Sequence, residues 1–223
     1  MTQHQGITGI VLAGGAATRF GADKVAASYE GRTLLQRVVD ALEAACDEVI
    51  VVAAAAAEPD PGPRTRPLRM LHDASPFPGP RAALLAGIDA AAYPAAVVAG
   101  GDMPWLRPAF LGMLAERLAR GDRAAVAPVL YGVLQPLPCA LRVRAVRDAT
   151  PAPDGSLLAL LGRVGVAPLP ELEWREVDPA GESLQDVDLP EDLEGPLELP
   201  LRGWMATWAR RRGGSSPGGR GPR

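Results

Sequence analysis

The feature that most constrains the fold is an apolar segment, residues 7–12, that leads into a glycine-rich loop and then into Lys24. Such an apolar segment is typical of a buried strand. Glycines let backbone N–H groups approach anionic oxygens closely, so a strand that ends in a glycine-rich loop is an arrangement suited to phosphate. Arg19 and Lys24 add positive charge where phosphate oxygens would lie. The opening of the chain therefore predicts a strand followed by a phosphate-binding loop.

Lys24 is the only lysine in the chain, beside 22 arginines, which indicates a need for a compact ammonium at this position. The spacing of the loop excludes the two commonest phosphate-binding motifs. Five residues separate Gly15 from Gly21 and Ala22 follows, so there is no Walker A sequence, and the adjacent Gly14 and Gly15 break the dinucleotide-binding spacing. Taken alone, the loop remains open to a second interpretation as a surface loop with solvated cations.

The first 130 residues alternate between apolar runs and helical patterns joined by short connections. Strands are predicted at residues 7–12, 48–53, 68–72, 95–99 and 124–129, and helices after Thr33, over residues 81–92 and from Pro108 to Arg120. Strand–helix alternation with continuous apolar strands is typical of a three-layer α/β fold with a mostly parallel sheet.

The second half of the chain is less regular. Residues 134–141 contain two prolines and predict an edge strand or a loop before one, and the alternation over residues 173–177 predicts a strand. Helices are expected at residues 143–149, 156–164 and 190–193. From Arg202 onward the sequence is rich in Gly, Ser, Pro and Arg. We therefore expect a domain over residues 1–200 and a partly disordered tail over residues 201–223.

Composition excludes several classes of protein. Residues 202–223 hold six Arg and no acid, so the rest of the chain holds 17 basic and 26 acidic groups, which argues against a duplex nucleic-acid partner. Cys46 and Cys139 form no C-x-x-C motif, and neither a disulfide framework nor a zinc site is expected. The longest apolar run has nine residues and no signal peptide is recognised, so we expect a soluble, cytoplasmic protein without a membrane partner.

Three carboxylates, Asp73, Asp102 and Asp188, fall at or just after predicted strand ends, where ligands bind in open α/β sheets. Asp102 follows Gly101 and has the chemistry of a Mg²⁺ ligand, although it could instead cap the next turn. Asp73 could accept paired hydrogen bonds from guanine or simply form a turn. Asp188 could be a second metal ligand, a role that Asp186 could also fill.

These motifs together resemble the MobA-like nucleotidyltransferases, and within them most closely the molybdenum cofactor guanylyltransferases. The resemblance runs in order from residue 7 to residue 194. Its motifs are Leu12-Ala13-Gly14-Gly15, Arg19, Gly21, Asp23-Lys24, Asp73, Gly79-Pro80, Gly101-Asp102-Met103-Pro104-Trp105-Leu106, Gln135-Pro136-Leu137 and Asp186-x-Asp188-x-Pro190-Glu191-Asp192-Leu193.

The resemblance implies a Rossmann-like fold of the glycosyltransferase A type, with a mostly parallel mixed sheet, and Mg²⁺-dependent transfer of GMP from GTP to the phosphate of molybdopterin. Transient contacts with proteins that handle the cofactor, or with molybdoenzymes, are also implied. The implied site comprises Leu12, Ala13, Gly14 and Gly15 at the nucleotide, Arg19 and Lys24 at its phosphates, Asp73 at guanine, and Asp102 with Asp188 at the metal.

The chain departs from the family at several positions, since it contains no asparagine. Asp186 and Asp188 stand where the family has asparagines, and Arg81 replaces a leucine. These changes leave open a relative that uses CTP or a non-pterin acceptor, and a nucleotide- or cofactor-binding protein without catalysis. A DNA-associated protein acting through its Arg-rich tail is a further alternative, for which loss of residues 210–223 would abolish activity.

Overall fold

The computed structural model describes residues 6–14, 24–54, 59–72, 79–149, 156–197 and 199 of the 223-residue chain. The strands are β1 Ile7–Ala13, β2 Ser28–Tyr29, β3 Arg32–Thr33, β4 Glu48–Ala53, β5 Leu68–His72, β6 Ala95–Gly100, β7 Ala125–Leu130, β8 Val133–Leu134, β9 Cys139–Arg142 and β10 Val166–Leu169. The α-helices are α1 Leu34–Ala45, α2 Pro80–Ala90, α3 Pro108–Arg120, α4 Val143–Arg147, α5 Leu157–Val164 and α6 Glu171–Trp174. Short 3₁₀ turns span Lys24–Ala26, Glu182–Leu184 and Pro190–Glu194.

The main sheet has the strand order β10-β7-β9-β6-β1-β4-β5, with β8 paired to β7. Strands β6, β1, β4 and β5 pair in parallel, as do β7 and β10, whereas β9 runs antiparallel to both of its neighbours. The carboxyl ends of the parallel strands therefore lie along one edge of the sheet. The predicted α/β fold with a mostly parallel mixed sheet is confirmed.

Two hydrophobic cores lie on opposite faces of the sheet, because successive strand side chains point to opposite faces. Val11 of β1 packs with apolar residues of α1 and α3 in one core, and Ile10 packs with residues of α2, α4 and α5 in the other. Cys46 and Cys139 are buried, one in each core. The sheet is therefore packed against helices on both faces, and the candidate site lies at one of its edges.

Helix α1 begins as its sequence predicts. The hydroxyl of Thr33 accepts a hydrogen bond from the N–H of Gln36, and the Gln36 side chain accepts one from the Thr33 N–H, forming a capping box. This reciprocal cap satisfies two backbone donors that would otherwise lack partners at the start of the helix. It fixes the short β2–β3 hairpin, which lies just before α1, relative to the sheet.

The prediction for residues 134–141 is right in part, and that for residues 173–177 is wrong. Residues 135–138 form a loop before strand β9, but β9 does not lie at an edge, because it pairs with β6 on one side and β7 on the other. Pro136 and Pro138 lie in the loop and remove no ladder hydrogen bond. Residues 173–177 form the end of α6 and a turn rather than a strand. Trp174 and Val177 have helical spacing, and Arg175 pairs with Glu171 at 2.7 Å, one helical turn away. Strand β10 was not predicted.

The predicted helices at residues 143–149 and 156–164 are confirmed as α4 and α5, and the helical turn at 190–193 is confirmed as a 3₁₀ turn. The tail predicted for residues 201–223 lies outside the described residues. Within the part of the chain that the structure describes, no helix has the length and apolarity needed to span a membrane.

Candidate active site

The candidate site lies where β1 and β6 end side by side. Leu12 is in register with Gly100, and the N–H of Gly101 donates to the carbonyl of Leu12 at 3.0 Å. This hydrogen bond continues the strand pairing by one residue and holds the loop that carries Asp102 beside Ala13. The predicted nucleotide-binding residues Leu12 and Ala13 are therefore adjacent to the predicted metal ligand.

Lys24 reaches this point because its 3₁₀ turn packs directly on the end of the sheet. The next residue, Val25, is buried. A Cβ atom added to Gly101 would lie 3.0 Å from Val25 Cγ1 and 3.2 Å from Ala13 Cα, closer than most Cβ contacts. Glycine at position 101 thus permits the close approach that brings the turn of Lys24 against the loop of Asp102.

The ammonium of Lys24 bridges two carboxylates. Its Nζ atom lies 2.9 Å from Asp102 Oδ2 and 3.0 Å from Asp188 Oδ1. The three side chains are partly shielded from water, with exposed fractions of 18% for Lys24, 31% for Asp102 and 28% for Asp188. Three segments that are far apart in the sequence therefore converge on one charged group.

The segment of Asp188 is held by its own backbone. The N–H of Val187 donates to the carbonyl of Asp102 at 2.8 Å. The N–H groups of Asp188 and Leu189 both donate to Asp192 Oδ2, each at 2.8 Å. These hydrogen bonds fix Asp188 and its two neighbours in the sequence, Val187 and Leu189, and so determine where the Asp188 side chain lies.

The pKa values of the charged groups reflect their crowding. Burial by itself would lower the pKa of Lys24, but the neighbouring carboxylates of Asp102 and Asp188 raise it above the ordinary lysine value. Burial raises the pKa of Asp186, the charges of Asp188 and Asp102 raise it further, and the charge of Lys24 offsets part of this. With all three carboxylates ionised and one ammonium among them, the cluster carries a net charge of minus two.

The two carboxylates fit a divalent cation. Asp102 and Asp188 each direct an oxygen at the same cationic nitrogen, and a Cβ atom on Gly100 would lie 2.5 Å from Asp102 Oδ1, so glycine provides the space for this carboxylate. Among the described residues no three acidic, imidazole or thiol side chains are grouped as a metal site. Magnesium typically takes one or two protein carboxylates and completes its shell with water and substrate phosphates.

A cavity of about 910 Å³ adjoins Asp188. Its lining includes Trp105, Tyr131, Gln135, Asp186 and Asp188, so it presents both aromatic surface and hydrogen-bonding groups. This size and composition suit a small organic ligand.

Trp105 stands at the boundary of the cavity with an unused donor. Its ring packs edge-on against Tyr29, with centroids 5.7 Å apart. Its Nε1 atom is buried and has no hydrogen-bond partner among the residues that the structure describes. A buried donor without a partner is unfavourable, and a ligand could accept this hydrogen bond only if the ring moved to expose the atom.

The structure brings together five predicted residues, namely Leu12, Ala13, Lys24, Asp102 and Asp188, and Asp186, the alternative second metal ligand, lies beside them. Gly14 directly follows β1. Gly15, Arg19 and Asp73, which the sequence also predicts at the site, lie outside the described residues. Trp105 and Tyr131, which provide the aromatic surface of the cavity, were not predicted as site residues. The sequence indicates such a role only for Trp105, because it lies shortly after Asp102.

The fold, the parallel-strand edge and the lysine–carboxylate cluster define a nucleotidyltransferase of the α/β class. Residues 9–165 match the family described as the MobA-like NTP transferase domain. The chain belongs to this family.

Curated relatives extend the similarity beyond that range. A protein of Chloroflexus aggregans described as a probable molybdenum cofactor guanylyltransferase is 36% identical over 205 residues, covering 87% of this chain and 95% of the relative. A protein of Natronomonas pharaonis with the same description is 30% identical over 213 residues, covering 86% and 96%.

A solved structure also supports the fold. The molybdopterin-guanine dinucleotide biosynthesis protein A of Archaeoglobus fulgidus aligns with a TM-score of 0.65 over 84% of this chain and 95% of that chain, at 20% sequence identity. At this identity the likeness concerns the fold, which is the Rossmann-like nucleotidyltransferase architecture.

Proposed function

We propose that the protein transfers GMP from GTP to the terminal phosphate of molybdopterin in a Mg²⁺-dependent reaction that releases pyrophosphate. In this reaction an oxygen of the acceptor phosphate forms a bond to the α-phosphorus of GTP. The bond from that phosphorus to the oxygen between the α- and β-phosphates breaks, and this oxygen leaves with pyrophosphate. The observation that carries the proposal is the convergence of Asp102 and Asp188 on Lys24, between the end of β1 and the cavity.

The nucleotide side of the site is assigned to Leu12, Ala13, Gly14 and Gly15, with Arg19 and Lys24 at the phosphates and Asp73 at the guanine base. Leu12 and Ala13 end β1, which pairs with the strand that leads into Asp102, and this supports a nucleotide at this edge. Lys24 carries its positive charge at the same point. Little covalent chemistry is required of the protein, because such transfers depend mainly on positioning and on neutralisation of phosphate charge.

The metal is assigned to Asp102 and Asp188. When bound, Mg²⁺ would supply positive charge and coordination to the phosphate oxygens. Contacts of the backbone orient the two carboxylates. Asp102 follows the end of β6, and Asp188 is held because its own N–H and that of Leu189 donate to Asp192.

The cavity is assigned to the acceptor. Trp105 and Tyr131 offer flat apolar surface to a bicyclic or tricyclic ring system, and Asp186 and Gln135 offer hydrogen-bonding groups. The relatives described as molybdenum cofactor guanylyltransferases support a pterin cofactor as this ligand.

The proposal is tested by incubating the protein with molybdopterin, Mg²⁺ and each of GTP, CTP, ATP and UTP in separate reactions. Pyrophosphate release and the mass of the pterin product identify the transferred base. We expect transfer of GMP, dependent on Mg²⁺ and absent from the Asp102→Asn variant. Transfer of CMP would show that the base is wrong, and nucleotide binding without Mg²⁺-dependent turnover would indicate a binding protein.

A further inference from the structure

A polar cluster next to the candidate site joins the loop of Asp102 to the segment of Asp188. Arg107 ends this loop, immediately before α3. Its backbone N–H donates to Ser183 Oγ at 3.0 Å, and its Nε and Nη2 atoms donate to Glu182 Oε2 at 3.0 and 2.8 Å. Its Nε also lies 3.4 Å from Asp178 Oδ1. One residue thus contacts three residues of the later segment.

The partner side of the cluster is a turn built around a buried carboxylate. Asp178 is fully buried, and it accepts hydrogen bonds from the N–H groups of Glu182 at 3.0 Å and Ser183 at 2.7 Å. The N–H of Gly181 donates to the backbone carbonyl of Asp178 at 3.0 Å. The turn is therefore closed on itself, and Arg107 attaches to it from outside as a cation beside a buried anion.

The loop and the segment are joined at two places. At one end the Val187 N–H donates to the Asp102 carbonyl at 2.8 Å. At the other end Arg107 contacts Glu182 and Ser183. Two short stretches that are joined at both ends cannot slide past each other without breaking one of these attachments.

We propose that Arg107 is a positioning residue, which keeps Asp188 within reach of Asp102 by holding the turn of Glu182 and Ser183 against the loop. Arg107 is not among the residues that line the cavity, so it acts through the segment and not on a substrate. Outer-shell partners of metal-ligating side chains commonly alter metal affinity by about 10- to 100-fold when they are removed. The proposal rests on the proposed function only for the identity of the cation.

The test compares Arg107→Gln with Arg117→Gln, a matched control on α3. Both arginines are partly exposed, at 42% and 46%, and each pairs with a glutamate; Arg117 pairs with Glu173 at 3.2 Å. Hydrogen–deuterium exchange of the Val187 amide is measured first, since it reports the attachment without metal or substrate. We expect exchange to be about tenfold faster in Arg107→Gln than in the wild type and unchanged in Arg117→Gln.

Titration with Mn²⁺ alone gives the second readout. We expect Arg107→Gln to bind Mn²⁺ about tenfold more weakly than the wild type, with Arg117→Gln equal to the wild type. Equal Val187 exchange in the two variants would overturn the proposal, whatever the Mn²⁺ result. Equal Mn²⁺ affinity despite faster exchange would also overturn it, because the segment would then move without affecting the carboxylates.

Two further variants keep the test decisive. If Arg107→Gln does not fold, Glu182→Gln removes the main ionic partner and leaves Arg107 beside Asp178; the same increase in Val187 exchange is then expected, and its absence overturns the proposal. Arg107→Lys retains the charge but not the two donors to one oxygen, so we expect partial rescue. Failure of GMP transfer by the wild type would refute the proposed function and leave these exchange measurements interpretable.

Discussion

The backbone N–H of Val187 donates to the backbone carbonyl of Asp102 across 2.8 Å, and this bond places the Asp188 carboxylate beside that of Asp102. The side chains then meet at Lys24, whose ammonium lies about equally far from both. A hydrogen bond between backbone atoms does not require the side chains of Asp102 and Asp188. Variants of Asp102, Asp188 and Lys24 can therefore be expected to change the chemistry of the site while they preserve its framework.

Replacing Asp102 by Asn should remove Mg²⁺-dependent turnover. The amide has nearly the same shape but lacks the negative charge that attracts the cation, so we expect a loss of about 100-fold or more in the rate of pyrophosphate release. Circular dichroism should show an unchanged fold. Asp89→Asn is the control, because Asp89 is 76% exposed, lies near the end of α2 and pairs with Arg147 rather than with Lys24. Wild-type turnover in Asp102→Asn would refute the metal assignment.

Replacing Lys24 by Met should change metal binding and turnover in opposite directions. The ammonium competes with a metal for the oxygens of Asp102 and Asp188 when no nucleotide is bound. A partly exposed ion pair contributes about 0.2–1 kcal/mol, so removal of both pairs should tighten Mn²⁺ binding by roughly two- to thirtyfold. Turnover should fall, because a positive charge at the nucleotide phosphates is lost. Calorimetric titration with Mn²⁺ measures the first effect and steady-state kinetics the second. Weaker Mn²⁺ binding by Lys24→Met than by the wild type would contradict the claim that the ammonium and the metal compete for the same carboxylates.

Replacing Gly101 by Ala tests the packing that delivers Lys24. The added Cβ would press on Val25 and Ala13, at 3.0 and 3.2 Å, so the turn of Lys24 must move by a few tenths of an ångström. We expect turnover to slow by roughly tenfold, since small misplacements at such sites are costly. Gly112→Ala is the control. Gly112 lies inside α3 with open space around it, and alanine there should stabilise the protein by about 0.5–1 kcal/mol without changing the rate. A Gly101→Ala variant with wild-type kinetics would show that the turn tolerates displacement.

Local sequence patterns predict some elements of the fold and not others. Strand β1, helix α1 with its Thr33 cap and the start of α3 at Pro108 all follow from local patterns, and they were predicted correctly. The two prolines in residues 134–141 predicted an edge strand or a loop before one, but the four residues of β9 itself contain no proline and form an interior strand. Its place is decided by pairing with β6 and β7, which local sequence does not encode.

Some features of the candidate site could likewise be predicted from the sequence, and others could not. Asp102 was predicted correctly just after a strand, β6, whereas Asp188 lies between two 3₁₀ turns and not after a strand end as predicted. Asp188 reaches Asp102 because the N–H of Val187 donates to the Asp102 carbonyl. The bridging position of Lys24 could not be expected, because it depends on the fit of Val25 against Gly101. Arg107 gave no signal of its own among 22 arginines, and its contacts with Glu182 and Ser183 arise only when the chain folds.

Replacing Asp186 by Asn should stabilise the protein progressively as the pH rises. The pKa of Asp186 is raised above its ordinary value of 3.8, by burial first and then by the charges of Asp188 and Asp102. A raised folded-state pKa contributes stability at low pH, and this contribution is lost as the pH rises through that pKa. The free energy of unfolding of Asp186→Asn relative to the wild type should therefore increase between pH 4 and pH 7. Urea unfolding at several pH values measures it, with the exposed Asp148→Asn as control. A difference that shrinks with rising pH would contradict the crowding of carboxylates.

The central claim is that Asp102 and Asp188 together hold the metal of a nucleotide-transfer site, and anomalous diffraction tests it most directly. Crystals of the protein grown with Mn²⁺ and a non-hydrolysable GTP analogue should show an anomalous peak about 2.0–2.5 Å from an oxygen of each carboxylate. The nucleotide phosphates should complete the coordination, beside the ends of β1 and β6. A well-ordered nucleotide whose Mn²⁺ contacts neither Asp102 nor Asp188 would contradict the claim.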